Sequence, residues 1–179
     1  LFGPLYTKCD DDKIRAGMVE NLIEEETGKM SGTAPHPELY LRLGEALGST
    51  RDIMRNIKPL PESLALRTYW VWAVKELPLI EGVAAVSIAG EAQVPGAGLE
   101  FARICEEQYG LTHEQAAFWW VHEEADAEHG GGAIAMVAKQ ARTDEEQRRV
   151  REVVDHSLTL LWRFFDGIEL AYGAQRKAA

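Results

Sequence analysis

His122, Asp126 and His129 lie at positions i, i+4 and i+7 of the run Trp119-Trp120-Val121-His122-Glu123-Glu124-Ala125-Asp126-Ala127-Glu128-His129. On an α-helix that spacing puts two imidazoles and a carboxylate on one face. Phe118, Trp119, Ala125, Ala133 and Met136 fall on the same face, the one a bundle helix turns inward. Such groups are costly to bury unless something pairs with them, and a metal ion is the simplest partner. Glu123, Glu124 and Glu128 read as the solvated opposite face.

A metal on that face calls for carboxylates from other helices. Glu91 is aligned with Ile88, Ala84 and Ile80 on an apolar stripe, whereas Glu76 and Glu81 are less well placed. Glu25 stands in the same relation to Leu22, Met18 and Ile14. Glu26 follows Ile23, Leu22 and Val19 nearly as well, and Glu24 points away. Periodicity leaves Glu25 and Glu26 open. His36, between Pro35 and Pro37, is the remaining histidine of interest, while His113 reads as solvated and His156 lies off its helix's apolar stripe. Mixed oxygen and imidazole donors suit iron or manganese, and a single zinc would not need so many. The zincin motif is excluded because Asp126 occupies the position of its second histidine. A ferritin-like dimetal site needs two Glu-x-x-His units, and this chain has one comparable unit, Asp126-x-x-His129.

Nearly every segment that would position these residues reads as helix. The expected helices run from about Asp12 to Glu26, from Pro37 to Gly48, briefly after Ser49 or Thr50, and from Pro61 to Leu77, where Pro78 breaks the pattern. The next stops near Gln93, and another ends at Tyr109-Gly110, a natural left-handed stop. Thr112-His113-Glu114-Gln115 and Thr143-Asp144-Glu145-Glu146 read as capping boxes opening two long helices. The expectation is an all-α bundle of six to seven helices without an internal domain boundary. Tyr69, Trp70, Trp72, Phe118, Trp119, Trp162, Phe164 and Phe165 follow helical spacing and are assigned mostly to its core.

The 179 residues suffice for one domain with a sizeable core. A net charge of −10 without a basic cluster argues against nucleic acid or an anionic membrane as partner. No apolar run approaches the roughly 20 residues of a membrane span. Cys9 and Cys105 form neither a metal-type pair nor a disulfide framework, which makes a reducing cytoplasm the expected compartment. The start, Leu1-Phe2-Gly3-Pro4, is not a signal peptide and reads as the interior of a longer chain.

His122-x3-Asp126-x2-His129, with Glu91 upstream in Gly-Glu-Ala-Gln, resembles the haem-oxygenase-like dimetal oxidases. Glu20-Asn21-Leu22-Ile23-Glu24-Glu25-Glu26-Thr27-Gly28 followed by His36-Pro37-Glu38-Leu39-Tyr40 is similar to that family's early element, which supplies a carboxylate and a histidine. The resemblance spans about Leu5 to Gly173 and selects Glu25 over Glu26. It implies a haem-oxygenase-like helical bundle, related to pyrroloquinoline-quinone synthase and thiaminase II, that here lacks its first helix. It further implies six metal ligands, Glu25, His36, Glu91, His122, Asp126 and His129, holding two Fe(II), or manganese in one position. Glu25, His36 and His129 would serve one ion, His122 and Asp126 the other, with Glu91 bridging. O₂ would be co-substrate in oxidation of a small organic molecule, an amino-acid derivative being one candidate, and the fold implies a homodimer. Haem oxygenase proper is disfavoured because its proximal histidine belongs to the absent region. Thiaminase II relies on a cysteine site that neither Cys9 nor Cys105 reproduces.

Competing readings are a metal-free oxidase like pyrroloquinoline-quinone synthase, a binding protein on the same scaffold, and a core in which histidines and acids only pair with one another. Arg42, Lys75 and Arg163 are the cations available for a substrate carboxylate, and nothing in the sequence chooses among them. Gly130-Gly131-Gly132 costs about 1 kcal/mol per glycine inside a helix, which suggests close approach of a ligand, local unwinding or a kink.

Overall fold

The computed structural model describes residues 1–92, 94 and 96–173; within these, the side chains of 124–130 are not described. Ten helical segments and no strand occur among the described residues. Helix α1 (Phe2–Lys8) precedes α2 (Asp12–Thr27), α3 (His36–Ala46), the short α4 (Arg51–Asn56) and α5 (Pro61–Glu76). After Leu77-Pro78 comes α6 (Leu79–Val83), which widens without a break into a π-helical segment, Ala84–Glu91. Three longer helices follow: α7 (Ala97–Tyr109), α8 (Ala117–Gln140) and α9 (Asp144–Tyr172).

Local chemistry sets most boundaries. Asp11 caps α2 by accepting from the N–H groups of Lys13 and Ile14. Thr50 caps α4 through Ile53 N–H. The capping box at Thr143 forms in full, with Thr143 accepting from Glu146 N–H and Glu146 from Thr143 N–H. At Thr112 the reciprocal bonds to Gln115 form too, but they close a turn, and α8 starts at Ala117. Gly110, at φ 69°, ends α7.

The π-helical segment lies between α8 and α9, α5 packs along α9, and α3 and α7 pack on α8. The main core joins Leu5, Met18, Ala73, Val74, Val83, Ala85, Val86 and Val137. A second cluster of Leu43, Cys105, Leu111 and Ala116 packs against Phe118, Trp119 and Trp120. Ser157 is fully buried; its hydroxyl donates to Ala85 O at 2.8 Å and accepts from Trp70 Nε1 at 3.3 Å, tying α9, the π-helical segment and α5 together.

Several expectations change. Helix α1 is present where no helix was expected; Leu5 is fully buried, and Lys8 donates to the carbonyls of Val74, Lys75 and Leu77 at the end of α5. Glu81 is buried, 4% exposed, because Arg149 of α9 reaches it at 2.9 Å. Glu123 is no solvated acid: it accepts from the N–H groups of Gly96 and Leu99 and so caps α7 from across the interface. Trp72, Trp162 and Phe165 are substantially exposed rather than core. Helical spacing aligned them with apolar neighbours, but the flank of α9 that carries Trp162 and Phe165 has no described helix over it.

Candidate metal centre

Three predicted ligands from three helices converge. Ligand atoms of Glu25, His36 and His122 lie within 4.8 Å of one another. The convergence depends on the loop between α2 and α3. Gly28 ends α2 at φ 61°, and a Cβ there would stand 2.5 Å from the carbonyl oxygens of Thr33 and Ala34. Only glycine tolerates both the left-handed turn and so close a return of the chain. The return brings His36, the first residue of α3, back over the last turns of α2, where it is 3% exposed.

Hydrogen bonds set the state of both imidazoles. His36 Nε2 faces Glu24 Oε1 at 3.3 Å. A carboxylate only accepts, so Nε2 carries hydrogen and Nδ1 is the coordinating nitrogen. His36 Nδ1 lies 3.1 Å from Glu25 Oε1, but the contact is too poorly aligned to be a hydrogen bond. In His122, Nδ1 donates to Phe118 O at 2.7 Å, which leaves Nε2 as the donor to a metal. The two imidazole rings sit 4.5 Å apart.

The charges respond accordingly. Burial pulls the His36 ring down, but Glu25 and then Glu24 outweigh it and hold the ring above its ordinary value. Burial drives His122 down, more than the bond to Phe118 O raises it, and the neighbouring His36 adds to the fall. Glu91 is raised, first by burial and further by the negative charge of Glu25, with Ser87 opposing. One Glu91 carboxylate oxygen is buried and has no hydrogen-bond partner among the described residues.

These features fit a metal. Two ligand atoms about 2.1 Å from one ion at right angles stand about 3 Å apart, close to the His36–Glu25 separation. A buried carboxylate oxygen without a partner at Glu91 is what a cation satisfies. Glu91 also borders a cavity of about 250 Å³, shared with Met18, Asn21, Ser87 and Met136. Val83, Ser87 and Glu91 line it together, so the stripe facing the site follows a spacing of four rather than the expected Ile80–Ala84–Ile88 line.

Of the six predicted ligands, the side chains of Asp126 and His129 lie outside the described residues. Grouping His122 with Glu25 and His36 departs from the division that assigned it to the other ion. Glu26 is exposed, whereas Glu25 lies beside His36. Glu24 is a correction: expected to point away, it is 4% exposed and hydrogen-bonded to His36. The buried face of α2 contains Asn21 and Glu24, polar letters that an apolar-stripe reading turns outward. Burial alone would raise Glu24, but hydrogen bonds from Ser31, Met30 and His36 hold it below the ordinary carboxylate range. Arg42, Lys75 and Arg163 do not border the cavity among its described lining residues. A Cβ at Gly131 or Gly132 would meet no described atom within 4 Å, so no described helix requires glycine there, and Gly132 borders the cavity.

A family model described as iron-containing redox enzyme matches residues 1–162. The chain is 32% identical over 166 residues to a 4-aminobenzoate synthase of Nitrosomonas europaea, an alignment covering 92% of this chain and 65% of that protein. It is 28% identical to the 4-aminobenzoate synthase of Chlamydia trachomatis serovar D, covering 90% and 68%. A pyrroloquinoline-quinone synthase of Klebsiella pneumoniae is 25% identical, covering 96% and 68%. The chain thus spans about two thirds of the length of these relatives. The fold matches the crystal structure of a TenA homologue from Pseudomonas syringae pv. tomato with a TM-score of 0.71 at 16% identity, over 93% of this chain and 70% of that one. The helical architecture is therefore that of the haem-oxygenase-like bundles, and by its sequence the chain belongs to the iron-containing redox enzymes.

Proposed function

We propose that this chain is the catalytic bundle of a two-metal oxidase that uses O₂ to transform a small organic substrate, in the 4-aminobenzoate synthase branch of its family. The observation that carries the reading is the convergence of Glu25, His36 and His122, with one nitrogen of each imidazole hydrogen-bonded and the other left for a metal. The 32% identity to the Nitrosomonas europaea protein supports the branch.

Glu25, His36 and His122 would hold one ion, and Glu91, with Asp126 and His129, would complete a second position. Iron so held supplies the redox chemistry that amino-acid side chains lack. The chain's own contribution is to fix the donors and shape the space beside them. Glu24 and Phe118 O orient the two imidazoles, and burial keeps His122 unprotonated and ready to bind. The cavity next to Glu91 is mainly apolar, with Asn21 and Ser87 as hydrogen-bonding groups, and suits a ring-sized organic molecule held away from bulk water.

Anaerobic titration with ferrous iron, counting iron per chain and then following O₂ consumption, tests the proposal. Two ions per chain and O₂ uptake that Glu91→Ala and His122→Ala abolish are the expected results. A well-folded protein that takes up no iron overturns it in favour of a metal-free oxidase.

A further inference from the structure

We infer that Glu24 is a positioning residue for the metal centre: it sets the His36 tautomer and anchors the loop that carries this histidine. The inference rests on the metal-binding reading of the site. Both Glu24 oxygens are committed. Oε1 faces His36 Nε2 at 3.3 Å, and Oε2 accepts from Met30 N–H at 2.7 Å and Ser31 N–H at 3.2 Å. The side chain is 5% exposed and His36 is 3% exposed, so water does not readily replace either bond.

One carboxylate therefore does two things. By accepting the Nε2 proton it leaves the Nδ1 lone pair on the side of Glu25 and His122, which meets the rule that a ligating histidine donates its other N–H to an outer carboxylate. By holding Met30 and Ser31 it fixes the reversal that starts at Gly28 and ends at His36. Adjacent glutamates thus divide the work: Glu25 faces the site from one side of the ring and Glu24 holds the ring from the other. The remaining acid of the triplet, Glu26, is exposed.

The test compares the wild type with Glu24→Ala and Glu24→Gln by Co(II) titration and by ¹⁵N NMR of the histidines in metal-free protein at alkaline pH, where the rings are neutral. The wild type is expected to show His36 protonated at Nε2. Glu24→Ala should lose that signature and bind Co(II) about 10–100-fold more weakly. Glu24→Gln, whose side-chain carbonyl can still accept the ring proton, should keep the tautomer and recover most of the affinity. Unchanged Co(II) affinity together with an unchanged His36 spectrum in Glu24→Ala overturns the inference. Should Glu24→Ala fail to fold, the wild-type spectrum decides, because a neutral His36 protonated at Nδ1 also overturns it. Wild-type protein that shows the Nε2–H tautomer yet takes up no Co(II) defeats the metal reading while upholding Glu24's hold on the ring.

Discussion

His36 and His122 are the same chemical group 4.5 Å apart, yet their surroundings push them in opposite directions. His36 is raised because Glu25 and Glu24 outweigh its burial, and His122 is lowered because burial dominates. In metal-free protein, the first ring of the pair to take up an extra proton as pH falls is therefore His36. The stabilising effect of that proton is present below the ordinary histidine value of 6.5 and is lost as pH rises through the raised folded value. A metal must displace it, so Co(II) affinity should rise with pH through the His36 titration, with proton release when the first ion binds; calorimetry in buffers of different ionisation enthalpy checks this. Glu91 shifts in the same direction, but the form its surroundings disfavour is the charged one. Its raised value means the folded state binds the extra proton, so the cost of its charge grows as pH rises above the ordinary carboxylate value of 4.5 and levels off above the folded value. Glu91→Gln is expected to stabilise metal-free protein by on the order of 1 kcal/mol at neutral pH, about 2–4 °C in melting temperature. The gain should fade in acid, and the same variant should lose iron uptake. A melting temperature that falls at neutral pH would show that the ionised carboxylate is already satisfied without metal.

At the scale of elements, the α2–α3 connection decides whether the site exists. Gly28→Ala would place a methyl group 2.5 Å from two carbonyl oxygens and hold a non-glycine residue at φ 61°. The expected cost is about 2–4 kcal/mol. Because the strain falls on the chain that returns His36, Co(II) affinity should drop more than that of a variant destabilised elsewhere; Thr143→Ala, which removes the cap of α9, is a suitable control. Some of the residues that end and begin helices were readable in advance: Gly110 and Thr143 act where their chemistry says they should, and Thr50, one of two candidates, caps α4. On α2 and α3, Glu25 and His36, selected by resemblance where periodicity left Glu25 and Glu26 open, do meet. What could not be read depends on contacts distant in sequence. Glu24 is buried because a loop folds back on it, Glu81 because Arg149 arrives from α9, and Glu123 because the start of α7 offers it N–H groups. The π-helical turn also escaped, because an α-helical count still placed Glu91 on a buried face. Its actual neighbours in the cavity, Ser87 and Val83, come from a different line.

Across the whole molecule, the site is only as rigid as the packing that joins α5, the π-helical segment and α9, and the fully buried hydroxyl of Ser157 lies at that junction. Ser157 donates to Ala85 O and accepts from Trp70 N–H, linking one residue from each element. Ala85 lies in the helical run that ends at Glu91, so a loosened junction reaches this proposed ligand through the backbone. Ser157→Ala leaves the Trp70 N–H and one lone pair of Ala85 O unmatched in a buried place, at an expected cost of about 1–3 kcal/mol. For a chain of this size that is about 2–4 °C in melting temperature per kcal/mol. The informative measurement pairs this melting temperature with stepwise Co(II) binding. If the junction positions Glu91, Ser157→Ala should weaken the ion that depends on Glu91 more than the ion held by Glu25, His36 and His122, whose donors rest on α2, α3 and α8. Equal weakening of both would mean that the junction contributes stability to the bundle as a whole and that Glu91 is positioned by its own segment.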